Sequence, residues 1–199
     1  MSPEKRISRL RYTFYLLIIC CSVVICYLGF VRGMRFFAVP SQSMEPSLYK
    51  GDYLLTLNAG EYNRGDIVVF EDPTNDGGNL VKRIVGIGND TVAIRAGALF
   101  INGKYASEPY ILEPMVYEVF PPIEVPQGHV FVLGDNRNDS EDSSYWATAG
   151  EDANIPPKLR ANPTVPVENI IGKVRYIYLP GSRRGPVQAF PLSAMLAEP

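Results

Sequence analysis

The longest apolar run in the chain is residues 12 to 31, YTFYLLIICCSVVICYLGFV, which contains no charged side chain. A helix of about 20 apolar residues spans the hydrocarbon core of a bilayer, so the run predicts one transmembrane helix behind a short segment 1–11. Lys5, Arg6, Arg9 and Arg11 precede the run, and Arg32 and Arg35 follow it closely. The positive-inside rule then places the N-terminus in the cytoplasm and residues 33 onward across the membrane. Tyr12, Tyr15 and Tyr27 sit near the ends, where interfacial aromatics gather. A cleaved secretory signal is the competing reading. Its apolar core is typically ~7–15 residues and is closely followed by a small-x-small site, and this run is longer and lacks one. A buried core helix fits worse, because no other stretch is apolar enough to cover it.

Beyond the run, Met34, Phe36, Phe37 and Val39 continue an apolar stretch suited to the headgroup region. The pattern then changes to short period-two segments divided by turn residues, which predict strands over Tyr53–Leu57, Asp66–Phe70, Leu80–Ile87, Thr91–Arg95, Ala98–Ile101, Val130–Leu133 and Lys173–Leu179. Asn102-Gly103 is a hairpin signal. Asp72–Asn79 reads as a polar turn, and 147–166 reads as an irregular loop insertion without alternation. Past Pro180 the chain is punctuated by proline and glycine, and whether Phe190–Ala197 packs is left open. The expectation is a mostly β domain over 33–180, with no long helix outside the membrane and a C-terminal tail over 181–199.

Composition sharpens this picture in three places. Glycine and proline number 17 each, which suits many short strands and turns. The net charge is −2, but residues 1–32 hold five basic side chains and one acid, leaving 14 basic and 20 acidic residues beyond. A domain that acidic is a poor match for nucleic acid, whose phosphates demand basic patches. The three cysteines, Cys20, Cys21 and Cys26, all lie in the apolar run. That excludes a disulfide framework or a thiolate metal site in the rest of the chain.

Candidate chemistry begins at Pro40-Ser41-Gln42-Ser43-Met44-Glu45-Pro46-Ser47-Leu48. A capping box needs Glu or Gln three residues after its serine. Met44 and Pro46 occupy those positions, so an ordinary turn or a catalytic serine remains. A serine nucleophile needs a base. The single histidine, His129, enters an apolar strand, where a structural role is the commoner one. The other solution is a lysine kept neutral by apolar surroundings. Lys82 fits that role: in a strand it shares a face with Leu80 and Ile84, while Arg83 points the other way. A lysine at a sheet margin with its tip in water is the alternative. The polar run Gly134–Trp146 fails as a calcium loop. Counting from Asp135, position three is Arg137, position six lacks glycine and position twelve is Trp146.

Five motifs stand in one order. They are Ser-x-Ser-Met-x-Pro-Ser-Leu at 41–48, Arg-Gly-Asp-Ile-Val-Val-Phe at 64–70, and Val-Lys-Arg-Ile-Val-Gly at 81–86. Ile-Asn-Gly-Lys at 101–104 with Glu108-Pro109-Tyr110 is the fourth. Gly-Asp-Asn-Arg at 134–137 with Ser140, Asp142, Ser143, Tyr145 and Trp146 is the fifth. Together they resemble bacterial-type signal peptidase I, the leader peptidases, over about residues 35 to 180. The resemblance implies a signal-peptidase-like, β-rich Ser-Lys endopeptidase that cuts signal peptides of exported preproteins after a small-x-small motif. It implies Ser43 as nucleophile and Lys82 as general base. Ser41 would assist the backbone N–H of Ser43 in binding the oxyanion, Ser140 would orient the lysine amine, and Asp142 would be a supporting acid.

It also implies no metal and no organic cofactor, a single-pass monomer in the bacterial cytoplasmic (inner) membrane, and a catalytic domain on the periplasmic side. Besides the signal peptide, the implied partner is the lipid bilayer, not nucleic acid. Departures exist. Asn138-Asp139 replaces Asp-Asn before Ser140, Ser144 replaces an arginine that would pair with Asp142, Ala147 replaces a glycine, and Ser47 replaces a threonine. Two other readings stand beside this one: a dedicated conjugation or pilin-type maturation peptidase of the same mechanism, and a non-catalytic membrane-anchored peptide-binding domain.

Overall fold

The structure is a computed structural model that describes residues 3–31, 33–74, 77–116, 119–149, 152 and 154–190. The chain divides into two compact units, residues 1–34 and 35–199. The first is one helix, α1 (Pro3–Val31). Its large apolar side chains, Leu16, Ile19, Val23 and Phe30 among them, are exposed. Among the described residues no helix is long and apolar enough to cross a membrane. The transmembrane reading therefore rests on the sequence.

The second unit is mostly β. Its elements in chain order are β1 (Arg35–Ala38), β2 (Tyr53–Leu57), β3 (Ile67–Glu71), β4 (Asn79–Ile87), β5 (Thr91–Arg95), β6 (Ala98–Ile101), β7 (Lys104–Tyr105), β8 (Val119–Glu124) and β9 (His129–Leu133). Then come α2 (Ser143–Thr148), α3 (Pro157–Ala161), β10 (Val165–Pro166), β11 (Ile170–Leu179) and β12 (Gly185–Pro186). One antiparallel sheet runs β1-β2-β11-β3-β4-β9-β10, with β12 added to β11; a second runs β7-β6-β5-β8. The Asn102-Gly103 signal closes the β6–β7 hairpin with both residues at positive φ, as the tight primed turn requires.

β4 is the strand that positions the site. It lies between β3 and β9, with Val68 opposite Lys82 and Leu133 opposite Arg83. Its apolar residues feed three separate cores. Val85 packs with Ile94, Leu99 and Phe131. Ile84 packs with Val68, Val132 and Trp146. Val81 packs with Met44, Leu48 and Leu54. Burying each such side chain is worth about 1.5–3 kcal/mol, so neither the strand nor its register can slip cheaply. A register shift at Gly86 is part of the design: a Cβ there would come within 2.5 Å of Val92.

Segment 147–166 is not the irregular insertion its pattern suggests. Ile155 just before α3, Leu159 on α3 and Val165 on β10 are buried with Trp146 in one core. Pro157 opens α3, where its missing N–H costs nothing. These three large apolar residues are spaced too widely to show alternation, yet all three are buried.

Candidate active site

The stretch 40–48 forms a turn rather than a helix. Met44 and Leu48 are buried and tied by Leu48 N–H to the Met44 carbonyl at 2.9 Å. Gly51 N–H to the Val39 carbonyl and Val39 N–H to the Asp52 carbonyl close the loop at its base. Two apolar anchors thus hold the loop against the sheet, and the residue before the first anchor, Ser43, is only 7% exposed.

Lys82 Nζ donates to Ser43 Oγ at 2.7 Å across 39 residues of sequence. With the amine neutral, the same distance lets the hydroxyl donate to Nζ instead. Lys82 is 3% exposed. Burial lowers its pKa from the ordinary lysine value, and the carboxylates of Asp142, Glu141, Asp139 and Asp135 oppose that shift only in part. Ser41 Oγ lies 3.3 Å from Ser43 Oγ at the exposed side of the pair.

The loop after β9 supports this pair from the far side. Asn136 N–H donates to the Ser43 carbonyl at 3.1 Å. Gly134 has its N–H on Asp142 Oδ2 at 2.9 Å and its carbonyl on Arg137 Nε at 3.0 Å. A Cβ on Gly134 would strike Ser140 and come within 2.5 Å of the Ser43 carbonyl, so only glycine fits there. Arg137 in turn is ion-paired with Glu108.

The three remaining sequence candidates behave differently. Ser140 is beside Gly134, but its Oγ is buried without a hydrogen-bond partner among the described residues. Asp142 is buried as the N-cap of α2 and accepts from Ser144 N–H at 3.0 Å and Ser144 Oγ at 2.7 Å. Ser144 therefore satisfies with a neutral hydroxyl the carboxylate that an arginine would have paired. His129 stands apart, with Nδ1 2.9 Å from Thr164 Oγ1. It lines a cavity of about 410 Å³ beside α3 that includes neither Ser43 nor Lys82.

Sequence reasoning missed the buried cation next to Lys82. Arg83 is 1% exposed and makes a two-pronged ion pair with Asp135, at 2.8 and 2.6 Å, while donating to the Gly65 carbonyl and Ser47 Oγ. Its guanidinium lies 4.0 Å from the Tyr110 ring centre. Half of the signal was present: an arginine inside an apolar strand needs an anion, but nothing in the sequence singles out Asp135 among the chain's acids.

The class comes from the family rather than from the Ser43–Lys82 contact alone: the match is to a family of peptidases. The chain belongs to the signal peptidase, peptidase S26 family, whose model matches residues 10–179. It is 37% identical over 162 residues to thylakoidal processing peptidase 1, chloroplastic, of Arabidopsis thaliana, covering 73% of this chain and 42% of that protein. It is 34% identical over 173 residues to probable signal peptidase I-1 of Synechocystis sp., covering 79% and 80%. Signal peptidase I of Mycobacterium tuberculosis is 32% identical over 240 aligned positions, covering 94% and 78%. A crystal structure of a signal peptidase I from Enterococcus faecalis V583 aligns with a TM-score of 0.42 at 26% identity, covering 57% of this chain and 96% of that one.

Proposed function

We propose that this chain is a membrane-anchored serine endopeptidase that removes signal peptides from exported preproteins by a Ser43–Lys82 dyad. The observation that carries the reading is the 2.7 Å contact between Ser43 Oγ and a buried Lys82 Nζ whose pKa burial has lowered. In this reading 1–11 is cytoplasmic and 12–31 is a membrane span. Residues 33–180 form the catalytic domain on the extracytoplasmic side of the cytoplasmic membrane, and 181–199 is its C-terminal extension. The substrate class is supported by the family and by the names of the relatives.

The chemistry follows from the groups present. Neutral Lys82 takes the Ser43 hydroxyl proton as Oγ attacks the scissile carbonyl carbon. The oxygen that becomes negative is met by the Ser43 N–H and the Ser41 hydroxyl; such donors are worth about 2.7–4 kcal/mol each. The tetrahedral adduct collapses to an ester on Oγ as the C–N bond breaks, and the leaving amine takes the proton from Lys82. A water then attacks the ester, losing its proton to Lys82, and Ser43 recovers its hydroxyl proton as the acid departs. Burial makes this possible at neutral pH, because an exposed lysine would hold its proton and lack the lone pair.

The test is purified full chain in detergent with several secretory preproteins and one pilin precursor, followed by mapping of the cut sites. Cleavage of many preproteins after small-x-small, lost in Ser43→Ala and in Lys82→Ala, is the expected result. Cutting of the pilin precursor alone would assign a dedicated maturation peptidase. Normal cleavage by either variant would overturn the dyad.

A further inference from the structure

The segment that follows the family match is bound to the nucleophile loop. The match ends at residue 179, yet 181–190 is laid along the β unit. A tight turn over Gly181–Arg183 leads into β12, which pairs with β11 beyond the end of β3, and Val187 N–H continues the ladder to the Arg175 carbonyl at 3.0 Å. Two side chains of this segment reach the loop that carries Ser43. Arg183 places Nε 3.0 and 3.1 Å from the two oxygens of buried Asp52 and Nη2 3.2 Å from the Ser47 carbonyl. Its guanidinium also lies 4.2 Å from the Tyr49 ring centre. Phe190 sits 5.4 Å from the Tyr110 ring and 5.5 Å from the Arg83 guanidinium carbon.

These contacts converge on Ser47. Its carbonyl is held by Arg183 and its hydroxyl by Arg83, the cation that Phe190 and Tyr110 cover. Between loop and segment lies a cavity of about 290 Å³, bordered by Pro46, Ser47, Tyr110, Ile177 and Phe190. Packing is interrupted there: apart from Val187, which packs against the core that includes Met44 and Leu48, a few directed contacts set the distance between them. Ser47 is four residues from Ser43, and the hydrogen-bonded turn from Met44 to Leu48 joins them. Ser47 is thus one hydrogen-bonded turn away from Ser43.

We propose that residues 181–190 are a strap that positions Ser43 against Lys82, with Arg183 and Phe190 as positioning residues. This rests on the Ser43–Lys82 reading given above. A strap that only covered the edge of β11 would contribute to stability and leave the chemistry of each folded molecule untouched. A strap that positions the loop has a kinetic signature. Loosening it lengthens the contact and admits water to Lys82, whose proton affinity then moves back toward that of an ordinary lysine.

The experiment measures kcat, KM, the pH profile and the folded fraction for full-length Phe190→Ala and Arg183→Lys, with Phe190→Tyr as the conservative control. For each of the first two, kcat per folded molecule is expected to fall about three- to tenfold, with KM within about twofold, as for a slightly misplaced reacting group. The acid limb of the profile moves to higher pH, and Phe190→Tyr restores both. Unchanged kcat per folded molecule with an unmoved acid limb overturns the strap, even where the folded fraction drops. Ser43→Ala is run in parallel. Its inactivity keeps a negative result specific to the strap, and its continued cleavage overturns the dyad and the strap together.

Discussion

Lys82 and Arg83 are neighbours on β4, equally buried, and treated in opposite ways. On the Arg83 side the charge meets two carboxylate oxygens, a carbonyl, a hydroxyl and an aromatic face. On the Lys82 side the amine meets the Ser43 hydroxyl and, among the described residues, forms no ion pair. The four carboxylates near Lys82 oppose its burial without overcoming it. A brace must have its charge satisfied, since it works by staying in place. A lysine that serves as a base, the role proposed for Lys82, must have its charge disfavoured, since it works by accepting a proton. Alternation of the strand puts the two demands on opposite sides of one backbone, where they do not interfere.

The largest way to break this comparison is Lys82→Met, which keeps the length and removes the amine. Cleavage should fall by about 10²–10⁴-fold, the usual worth of a positioned general base. Stability should move the other way. The folded-state pKa of Lys82 lies below its unfolded value of 10.5. At any pH below the folded value both states carry the proton and the burial penalty is fully present. Between the two values only the unfolded state binds the proton, so stability climbs with pH, and above 10.5 the penalty is gone. The variant should therefore melt higher than the parent at neutral pH, with the gain fading at strongly alkaline pH. Thermal melts at several pH values check this. In the parent, the rate should rise with pH through the same depressed pKa.

On the other side of β4, Arg83→Leu should cost about 3–5 kcal/mol in denaturant unfolding, because Asp135 is left charged and buried. Replacing both partners, Arg83→Leu with Asp135→Leu, should recover much of that loss, since the unpaired charge is gone. The double variant should still cleave poorly. Ser47 loses its donor, and the 134–136 loop loses the anchor beside the Asn136 N–H that holds Ser43. A double variant with normal cleavage would reduce Arg83 to packing.

The sequence was readable where one residue's chemistry or a short period settled the matter. β2, β5 and β6 fall on the expected bounds because alternation and turn residues agree there. β1 pairs with β2 where the sequence suits an interfacial stretch, since Arg35–Ala38 carries no alternation to mark it as a strand. β8 contains Pro121 and Pro122, which argue against a strand and are tolerated because β8 is an edge. α2 is six residues long and starts inside a polar run; its signal is the single cap Asp142. In the site, Ser43 and Lys82 were legible as a hydroxyl loop and a lysine among apolar neighbours. The Arg83–Asp135 pair was not, because 52 residues separate its members and neither carries a motif that names the other.

The smallest effect belongs to the residue that looks most like a catalyst. His129 is the chain's single histidine, and its hydrogen bonding marks it as structural. Thr164 Oγ1 donates its one proton to Asn162 Oδ1 at 2.7 Å. The 2.9 Å contact with His129 must then use the proton on Nδ1, so the ring is a donor that ties the start of β9 to the segment before β10. Asparagine can present an N–H at nearly the same place, and alanine cannot. His129→Asn should retain stability close to the parent's, and His129→Ala should lose about 1 kcal/mol, the ordinary net worth of one hydrogen bond. Both should cleave within about twofold of the parent, assayed beside Lys82→Met. If His129→Asn folded normally and cleaved no preprotein, the base would be the imidazole, and the contrast between the two sides of β4 would no longer explain the chemistry.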